Sequence, residues 1–225
     1  MPEEVEECTP KSGSYPEDNS FALQDIQALG THNSYHIETS EGLVPEWEYT
    51  HPAIEVQLAS QGIRQLELDL YFNEDTQEFD VLHVPFLDPG SNCDRFKDCV
   101  AEVAAFSKSS PGHHPILVLL EFKDEFKAEH ASERLALVES QLLTQLGKKH
   151  LIQPIDVQRD HASLREALEA EGWPSLGELR GRSLWVLHNG SRLREHYVSE
   201  RSSKEWALFP DCLLYTSPSP RDDPL

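Results

Sequence analysis

The sequence predicts an α/β fold with a parallel sheet, on three observations. Short apolar segments typical of β-strands alternate with segments of helical periodicity, at a spacing that favours parallel pairing. The most apolar segment, Ile116–Phe122, begins with five apolar residues in a row, as a strand buried on both faces does. A chain of 225 residues, 38% of them hydrophobic, is long enough for one large domain with its own core.

The first predicted elements surround a polar loop. A short strand is expected over Ile26–Gly30, and the segment His36–Tyr49 is polar and without periodicity. Pro52, close to a first turn, and Gly62, just past a last turn, delimit a helix over Pro52–Gln61.

The rest of the domain alternates strands with helices. The segment Asp94–Ser107 carries apolar residues on roughly one side, and Pro111 with Gly112 breaks the pattern after it. Gly147 ends the longest helical segment. The predicted strands are Ile63–Phe72, Phe79–Val84, Ile116–Phe122 and Ser183–His188, and the predicted helices are Asp94–Ser107, Phe126–Leu146, Ser163–Ala170 and Leu176–Leu179.

Both ends of the sequence differ from the domain between them. Residues 1–20 are acidic, rich in Pro and Ser and without periodicity, which predicts a flexible lead-in. Residues 211–225 continue no pattern and resemble translated adaptor or vector sequence, the alternative being a genuine disordered tail. The predicted domain therefore covers residues 21–210.

The charge of the chain limits its partners. Asp and Glu total 40 against 19 Lys and Arg, giving a net charge of −21, so phosphates of nucleic acids and anionic bilayers are repelled at long range. We expect no nucleic-acid partner. No apolar run approaches the ~18 residues of a transmembrane helix. The first residues lack the basic and apolar regions of a signal peptide, so none is predicted.

Two of the four cysteines lie close together in sequence. Cys93 and Cys99 are six residues apart, a spacing that fits either a small disulfide or two free thiols. It is a poor zinc signature, because no nearby cysteine or histidine pair accompanies it. The pattern favours the disulfide and, with it, an oxidising compartment.

Carboxylates in two predicted strands indicate a metal site. Glu67 and Asp69 are two residues apart in a strand, so their side chains share a face and repel each other unless solvated or neutralised. A hard cation would neutralise them, and Asn33 and Glu121 could add an amide oxygen and a third carboxylate. This oxygen-rich set favours Ca²⁺ or Mg²⁺ over Zn²⁺. The alternative is that Glu67 and Asp69 form the solvated face of an edge strand.

Other polar residues at strand ends are candidates for catalysis and substrate binding. His32 and His83 could transfer protons near neutral pH or bind a phosphate as imidazolium. Lys123 could contact a phosphate or a hydroxyl group of a substrate, or simply pair with Glu121. His188 ends a buried strand and is a candidate for lining the same site. The other histidines are interpreted as surface or loop residues: His36, His51, His113, His114, His130, His150, His161 and His196.

Several of these segments together resemble one enzyme family. Ala28–Tyr35 resembles the opening strand of the phosphatidylinositol-specific phospholipase C barrel, and Leu66–Asp69 with His83 resembles its second and third strands. Pro115–Glu121 resembles the fourth strand. The segments Asp88–Asp124 and Trp173–Gly181 resemble its mainly bacterial calcium-dependent branch. The likeness covers residues 24–210.

The resemblance implies a TIM-type barrel with its site at the carboxyl ends of the strands. It implies Ca²⁺ binding by four oxygen ligands: Asn33, Glu67, Asp69 and Glu121. His32 and His83 would be the catalytic pair, with His83 protonating the leaving group and His32 stabilising the phosphorane, while Glu67 or Glu121 would be the general base. The implied reaction is attack of the inositol 2-hydroxyl on phosphorus, which expels diacylglycerol and leaves a cyclic inositol phosphate for hydrolysis.

The expected partner is therefore a phosphoinositide lipid at a membrane surface, and we expect a monomer that is secreted or otherwise extracytoplasmic. A complete barrel of eight units needs ~250 residues, so this one is predicted to be incomplete at its C-terminal end. One alternative is a glycerophosphodiester phosphodiesterase or phospholipase D barrel, whose first motif usually carries His-Arg-Gly where this chain has His32-Asn33-Ser34. Another is an inactive barrel fragment.

Overall fold

One mixed sheet organises the chain. A computed structural model describes residues 15–39, 44–124, 128–189 and 191–211. The strands within these ranges are β1 (Gln65–Asn73), β2 (Glu78–Val81), β3 (Ile116–Phe122), β4 (Leu151–Ile152), β5 (Ser183–Leu187) and β6 (Phe209–Pro210). The helices are α1 (Ile54–Ala59), α2 (Phe96–Ser109), α3 (Ala128–Gln145), α4 (Gly147–His150), α5 (Pro154–Gln158), α6 (Leu164–Glu171), α7 (Leu176–Leu179) and α8 (Ser191–Glu200).

The strand order is β2-β1-β3-β5-β4, and β6 also pairs with β5. The predicted parallel pairing is confirmed for β1 with β3 and for β5 with β3, β4 and β6. It is wrong for β2, which runs antiparallel to β1. Residues 74–77 connect these two strands, a link too short for the crossover that a parallel pair needs. Within the described residues the sheet does not close into a barrel, consistent with an incomplete one.

The two faces of the sheet differ in their surroundings. On β1, Leu66, Leu68 and Leu70 are fully buried, and they belong to one apolar cluster with residues of α2 and α3. Burial along β3 alternates between buried and half-buried positions, so the expectation that this strand is buried on both faces is wrong. The opposite face of β1 carries Glu67 and Asp69. The sheet therefore has an apolar side against helices and a second side that holds the polar side chains.

The predicted first strand, Ile26–Gly30, is not confirmed by the structure. Ile26–Gly30 forms no strand; only Gly30 pairs with Gln65, in an isolated parallel bridge. The backbone approach is so close that a Cβ on Gly30 would lie 2.9 Å from the Gln65 Cβ. The amide of Thr31 continues the contact by donating to the Gln65 carbonyl (3.1 Å). This bridge positions the Thr31–His36 segment beside the carboxyl half of β1.

Part of the predicted flexible lead-in packs against the domain. Asp18 forms a bidentate ion pair with Arg180, whose guanidinium carbon lies 3.6 Å from the centroid of the Tyr15 ring. Residues 1–14 and 212–225, which contain the rest of the lead-in and nearly all of the predicted tail, lie outside the described residues.

A disulfide joins Cys93 to Cys99, the alternative that the spacing favoured. It fastens the loop before α2 to the first turns of that helix. In the same loop, the backbone amide of Asn92 donates to the Tyr35 carbonyl (2.7 Å), and the Asn92 side-chain nitrogen donates to the Pro52 carbonyl (2.8 Å). The loop is thereby tied to the segment that carries His32 and Asn33.

No helix in the described part of the chain has both the length and the apolar character required to cross a bilayer.

Candidate active site

Three carboxylates converge on the polar face of the sheet. The register of β1 with β3 places Asp69 opposite Glu121, and Glu67 lies on the same face of β1. One carboxylate oxygen from each of the three lies within 4.8 Å of the others. The structure thus brings together the three acidic residues that the sequence predicted as metal ligands.

Asp69 is the buried member of this cluster, with 1% of its surface exposed. Its Oδ2 accepts a hydrogen bond from the Tyr35 hydroxyl (2.9 Å), whereas its Oδ1 has no partner among the described residues. Burial raises the pKa of Asp69 to about 6, although the nearby Lys123 ammonium and the Tyr35 hydrogen bond lower it. An unpaired, buried carboxylate oxygen is a position that a cation would stabilise.

Asn33 approaches the cluster from the preceding segment. It adopts a left-handed backbone conformation (φ 45°), which asparagine tolerates better than most residues. The next residue, Ser34, forms two hydrogen bonds with Glu67. Its backbone amide donates to the Glu67 carbonyl (3.0 Å), and its hydroxyl accepts from the Glu67 backbone amide (2.9 Å). Asn33 Oδ1 lies 3.3 Å from the Tyr35 hydroxyl that also bonds Asp69. The predicted amide ligand is therefore linked to the carboxylates through Tyr35.

The residues present fit a hard cation. Three carboxylates and one amide, with a buried oxygen left unpaired, form the oxygen-rich set that Ca²⁺ prefers. Lys123 shares this region: its ammonium lies 2.9 Å from Glu121 Oε2 and 3.3 Å from Asp69 Oδ2. Burial lowers the Lys123 pKa, but these two carboxylates outweigh burial and the net pKa is raised. Of the two roles left open for Lys123, the structure shows the pairing with Glu121.

His32 lies at the solvent-exposed side of the carboxylates. Its side chain is 66% exposed, and its Nε2 is 3.7 Å from Glu67 Oε2. The His32 carbonyl accepts a hydrogen bond from the His51 ring (3.0 Å). His32 can therefore reach a molecule bound at the surface of the cluster while keeping contact with Glu67.

His83 belongs to a second cluster, with Asp88 and His36. It lies beyond the end of β2, not in a strand as predicted, and its Nδ1 is 2.8 Å from Asp88 Oδ2. Trp47 packs edge-on against the imidazole with ring centroids 5.0 Å apart. Because Nδ1 faces the carboxylate, the ring directs Nε2 away from it, and no partner bonds Nε2 in the described residues.

Of the surface or loop interpretation of His36, the loop holds and the surface is wrong, because His36 lies outside the named elements but is fully buried. Its Nδ1 donates to the Tyr49 carbonyl (2.8 Å), and its Nε2 lies 2.7 Å from Asp88 Oδ2. Burial raises the pKa of Asp88, but the hydrogen bonds from His83 and His36 outweigh burial and hold it below its usual range. Both ring nitrogens of the buried His36 are therefore bonded, one to a backbone carbonyl and the other to the Asp88 carboxylate.

The two clusters meet through tyrosines. The Tyr49 ring packs on His36 with centroids 4.3 Å apart, and the Asn33 side chain donates to the Tyr49 hydroxyl (3.2 Å). Asn33 contacts Tyr35, which bonds Asp69. Contacts thus run continuously from the His36 side to the carboxylates. His113 and His150, two other histidines interpreted as surface or loop residues, are also buried, but in other parts of the fold.

His188 lies at the same edge of the sheet, since its amide donates to the Leu120 carbonyl (2.8 Å) just past the end of β5. Its Nδ1 is 2.7 Å from Asp211 Oδ2, and Arg194 donates to the Asp211 carbonyl (3.0 Å). Asp211 was assigned to the tail excluded from the domain, so sequence reasoning missed it. No periodic signal marks it, because it directly follows the two-residue strand β6.

Comparison with known proteins decides the family. The model of the family described as "Phosphoinositide phospholipase C, Ca2+-dependent" matches residues 21–79 and 73–212. The chain belongs to this family. The family resemblance seen in Thr31–His36, Leu66–Asp69, His83 and Glu121 is thereby confirmed, as is the calcium dependence of the family.

Solved structures of this phospholipase C family resemble the chain. The calcium-dependent phosphoinositol-specific phospholipase C of a Gram-negative Pseudomonas species, in an apo form, has a TM-score of 0.66 and 24% identity, covering 87% of this chain and 67% of that one. A myoinositol complex of it has a TM-score of 0.66, 23% identity and the same coverage. The Ca²⁺-dependent enzyme of Streptomyces antibioticus has a TM-score of 0.58 and 29% identity, covering 73% of this chain and 52% of that one.

The chain thus spans about two thirds of the Pseudomonas protein and about half of the Streptomyces protein. The Pseudomonas likeness shows the fold, which agrees with the α/β class and with an open, barrel-like sheet. A search of curated protein sequences finds no significant match.

Proposed function

We propose that the chain is a Ca²⁺-dependent phosphoinositide phospholipase C, cleaving phosphatidylinositol into diacylglycerol and an inositol phosphate. The observation that carries this proposal is the cluster of Glu67, Asp69 and Glu121, in which Asp69 Oδ1 is buried without a partner among the described residues. The His32 imidazole lies 3.7 Å from Glu67 at its exposed side. The family's calcium dependence and the myoinositol complex of the Pseudomonas relative support it.

Four oxygen ligands would hold the metal: Asn33, Glu67, Asp69 and Glu121. Bound there, Ca²⁺ would supply positive charge that lowers the pKa of a substrate hydroxyl and offsets charge on the phosphate. Lys123 lies 2.9 Å from Glu121, so its ammonium is placed to contact a substrate phosphate or an inositol hydroxyl at the same face. His188, fixed by Asp211, would contact the substrate from the neighbouring strand.

The reaction needs a base, a charge-stabilising group and an acid. Glu67 or Glu121 would take the proton of the inositol 2-hydroxyl as its oxygen attacks phosphorus. The exposed His32 imidazole would stabilise the charge on the phosphorane oxygens. As the phosphorus–oxygen bond to diacylglycerol breaks, His83 Nε2 would give its proton to the leaving oxygen. The product is a cyclic inositol phosphate, which water can hydrolyse.

We further propose that the protein acts outside the cytoplasm, at a membrane surface. The disulfide between Cys93 and Cys99 supports an oxidising compartment.

Turnover of phosphatidylinositol with and without a calcium chelator tests the function. The unsubstituted chain should release diacylglycerol with Ca²⁺ and lose this activity with chelator. His32→Ala should reduce turnover about 100-fold, in the range typical of a lost acid, base or charge-stabilising group. The matched control is His114→Ala, since His114 is an exposed histidine before the start of β3, at the other end of the strand.

Three results would contradict the proposal. Turnover that persists in chelator would remove calcium from the mechanism. A glycerophosphate product in place of diacylglycerol would favour the glycerophosphodiester phosphodiesterase alternative. Calcium binding without turnover of any phosphodiester would identify an inactive member of the family.

A further inference from the structure

The tight turn between His83 and Asp88 presents two apolar side chains to solvent. Phe86 is 99% exposed and Leu87 is 56% exposed. No other described large hydrophobic residue is as exposed as Phe86. Phe86 also adopts a left-handed backbone conformation (φ 65°), which is unfavourable for a bulky side chain. A conformation that is locally unfavourable and exposes a phenyl ring needs support from the surrounding structure.

The base of this turn supplies that support. The backbones of Val84 and Asp88 form two hydrogen bonds with each other, at 2.9 and 3.2 Å. Asp88 is buried, and its carboxylate accepts from His36 and His83 at one oxygen and from Thr39 at the other (3.1 Å). The turn therefore holds Phe86 and Leu87 outward on a fixed base.

Charge indicates what the turn can contact. The chain carries a net charge of −21, which opposes approach to an anionic surface. Within residues 84–90 the only ionisable side chain is Asp88, and it is buried and bonded inward. The exposed tip is thus uncharged and apolar, which complements the acyl chains beneath zwitterionic headgroups. A nucleic acid or a strongly charged protein would find nothing to bind there.

We propose that the Phe86–Leu87 turn inserts into a zwitterionic lipid surface and docks the protein there. This proposal rests on the proposed function, because the turn would be the side of the candidate active site that faces the membrane. The turn begins next to His83 and ends at the carboxylate that holds the His83 ring. Insertion of the tip would therefore place His83 at the headgroup boundary, where the oxygen of a leaving diacylglycerol lies.

Binding to vesicles of phosphatidylcholine alone tests the surface without any substrate. Phe86→Ala/Leu87→Ala should lower the partition coefficient in a flotation assay by about tenfold or more, because two apolar side chains no longer leave water. The matched control is Phe21→Ala/Leu29→Ala, which removes one exposed phenylalanine (45%) and one exposed leucine (69%) elsewhere. The Leu29 carbonyl accepts a hydrogen bond from the Gln65 amide, so Leu29 lies beside the start of β1, far from the carboxyl end of that strand. This double variant should therefore bind to vesicles as the unsubstituted chain does.

A second arm separates docking from catalysis. Activity is measured on phosphatidylinositol in phosphatidylcholine vesicles and on a short-chain, monomeric phosphatidylinositol. The ratio of vesicle to monomer activity should fall about tenfold in Phe86→Ala/Leu87→Ala and stay constant in the control. Absence of turnover on both substrates would overturn the proposed function, while the flotation assay would still decide the docking surface.

Two findings would overturn the docking surface. The first is a flotation assay in which the two double variants partition equally, or in which the unsubstituted chain does not bind vesicles at all. The second is a dimer of the unsubstituted chain in light scattering that becomes a monomer in Phe86→Ala/Leu87→Ala, since the turn would then contact a second copy of the chain.

Discussion

His83 Nδ1 lies 2.8 Å from Asp88 Oδ2, the same oxygen that the buried His36 ring approaches to 2.7 Å. One carboxylate oxygen therefore fixes the orientation of the proposed acid and also contacts the buried His36 ring. The other nitrogen of that ring is held by the Tyr49 carbonyl. This arrangement keeps Nδ1 of His83 bonded and leaves Nε2 for the substrate.

Asp88→Asn should lower kcat while leaving KM within about threefold. The neutral amide oxygen is a weaker acceptor than a carboxylate oxygen, and the amide NH₂ replaces the oxygen that accepts from Thr39, so His83 loses the charged group that holds its ring. Since a positioned general acid contributes about 100-fold or more, losing the group that orients it should reduce activity about 10- to 100-fold. Steady-state kinetics on monomeric substrate measures both constants, and Asp75→Asn in the exposed β1–β2 turn is the matched control. A rise in KM with unchanged kcat would show that Asp88 acts in substrate binding instead.

The carboxylate cluster could be predicted from the sequence because it depends on two local rules. Residues two apart in a strand share a face, which paired Glu67 with Asp69. The carboxyl ends of parallel strands meet at one edge, which added Glu121. Both rules hold in the structure, where the register of β1 and β3 places Asp69 opposite Glu121.

The second cluster follows no such rule. His36 and Asp88 are 52 residues apart, and both lie in irregular segments that the loop fastened by Cys93–Cys99 holds together. Among eleven histidines, nothing in the sequence distinguishes His36 from a surface residue. The direction of β2 was missed for a different reason: apolar content identifies a strand, whereas the length of the connecting turn decides its direction.

Calcium should stabilise the chain more at pH 7.5 than at pH 5. Burial raises the pKa of Asp69 to about 6 from 3.8, so the folded chain without calcium favours the protonated carboxyl. The contribution of Asp69 to stability then falls as the pH rises from about 4 to 6, and its ionised carboxylate costs about 3 kcal/mol above that range. Calcium binds the ionised form and offsets this cost, whereas protons compete with it below pH 6.

Thermal unfolding with and without CaCl₂ at both pH values measures this difference. Asp69→Asn should abolish the pH dependence of the calcium-induced rise in Tm, and Asp75→Asn should retain it. An equal rise in Tm at both pH values would place calcium at a site without Asp69.

Lys123→Met should have opposite effects on calcium affinity and turnover. The ammonium lies 3.3 Å from Asp69 and 2.9 Å from Glu121, so it repels a cation bound between them. Its removal should raise calcium affinity several-fold, since one unit charge at such distances contributes on the order of 1 kcal/mol or more. The kcat/KM value should fall about tenfold, because a cation near the substrate phosphate is lost.

Calorimetric titration and steady-state kinetics together test this prediction. Lys148→Met, at a lysine within the short helix α4, is the matched control for both. Weaker calcium binding in Lys123→Met would mean that Lys123 organises the carboxylates instead of competing with the metal.

His113 should make the fold sensitive to acid independently of the site. It is 7% exposed; its Nδ1 donates to the His114 carbonyl (2.6 Å) and its Nε2 accepts from the Ser107 hydroxyl (2.9 Å). Burial lowers its pKa to about 4, against 6.5 for an ordinary histidine. The unfolded chain therefore takes up a proton at higher pH than the folded chain. The contribution of neutral His113 to the unfolding free energy is therefore fully present above pH 6.5. About 3 kcal/mol of that contribution is lost as the pH falls to 4.

Urea unfolding at pH 7.5, 5.5 and 4.5 measures this loss. His113→Asn keeps a donor and an acceptor but cannot titrate, so its unfolding free energy should decline less between pH 7.5 and 4.5, by about 2.5 kcal/mol. His130→Asn, at an exposed histidine on α3, should retain the slope of the unsubstituted chain. The same slope in both variants would assign the acid sensitivity to groups other than His113. A flatter slope in His113→Asn alone would show that one buried imidazole, remote from the carboxylates, contributes to the acid sensitivity of the fold.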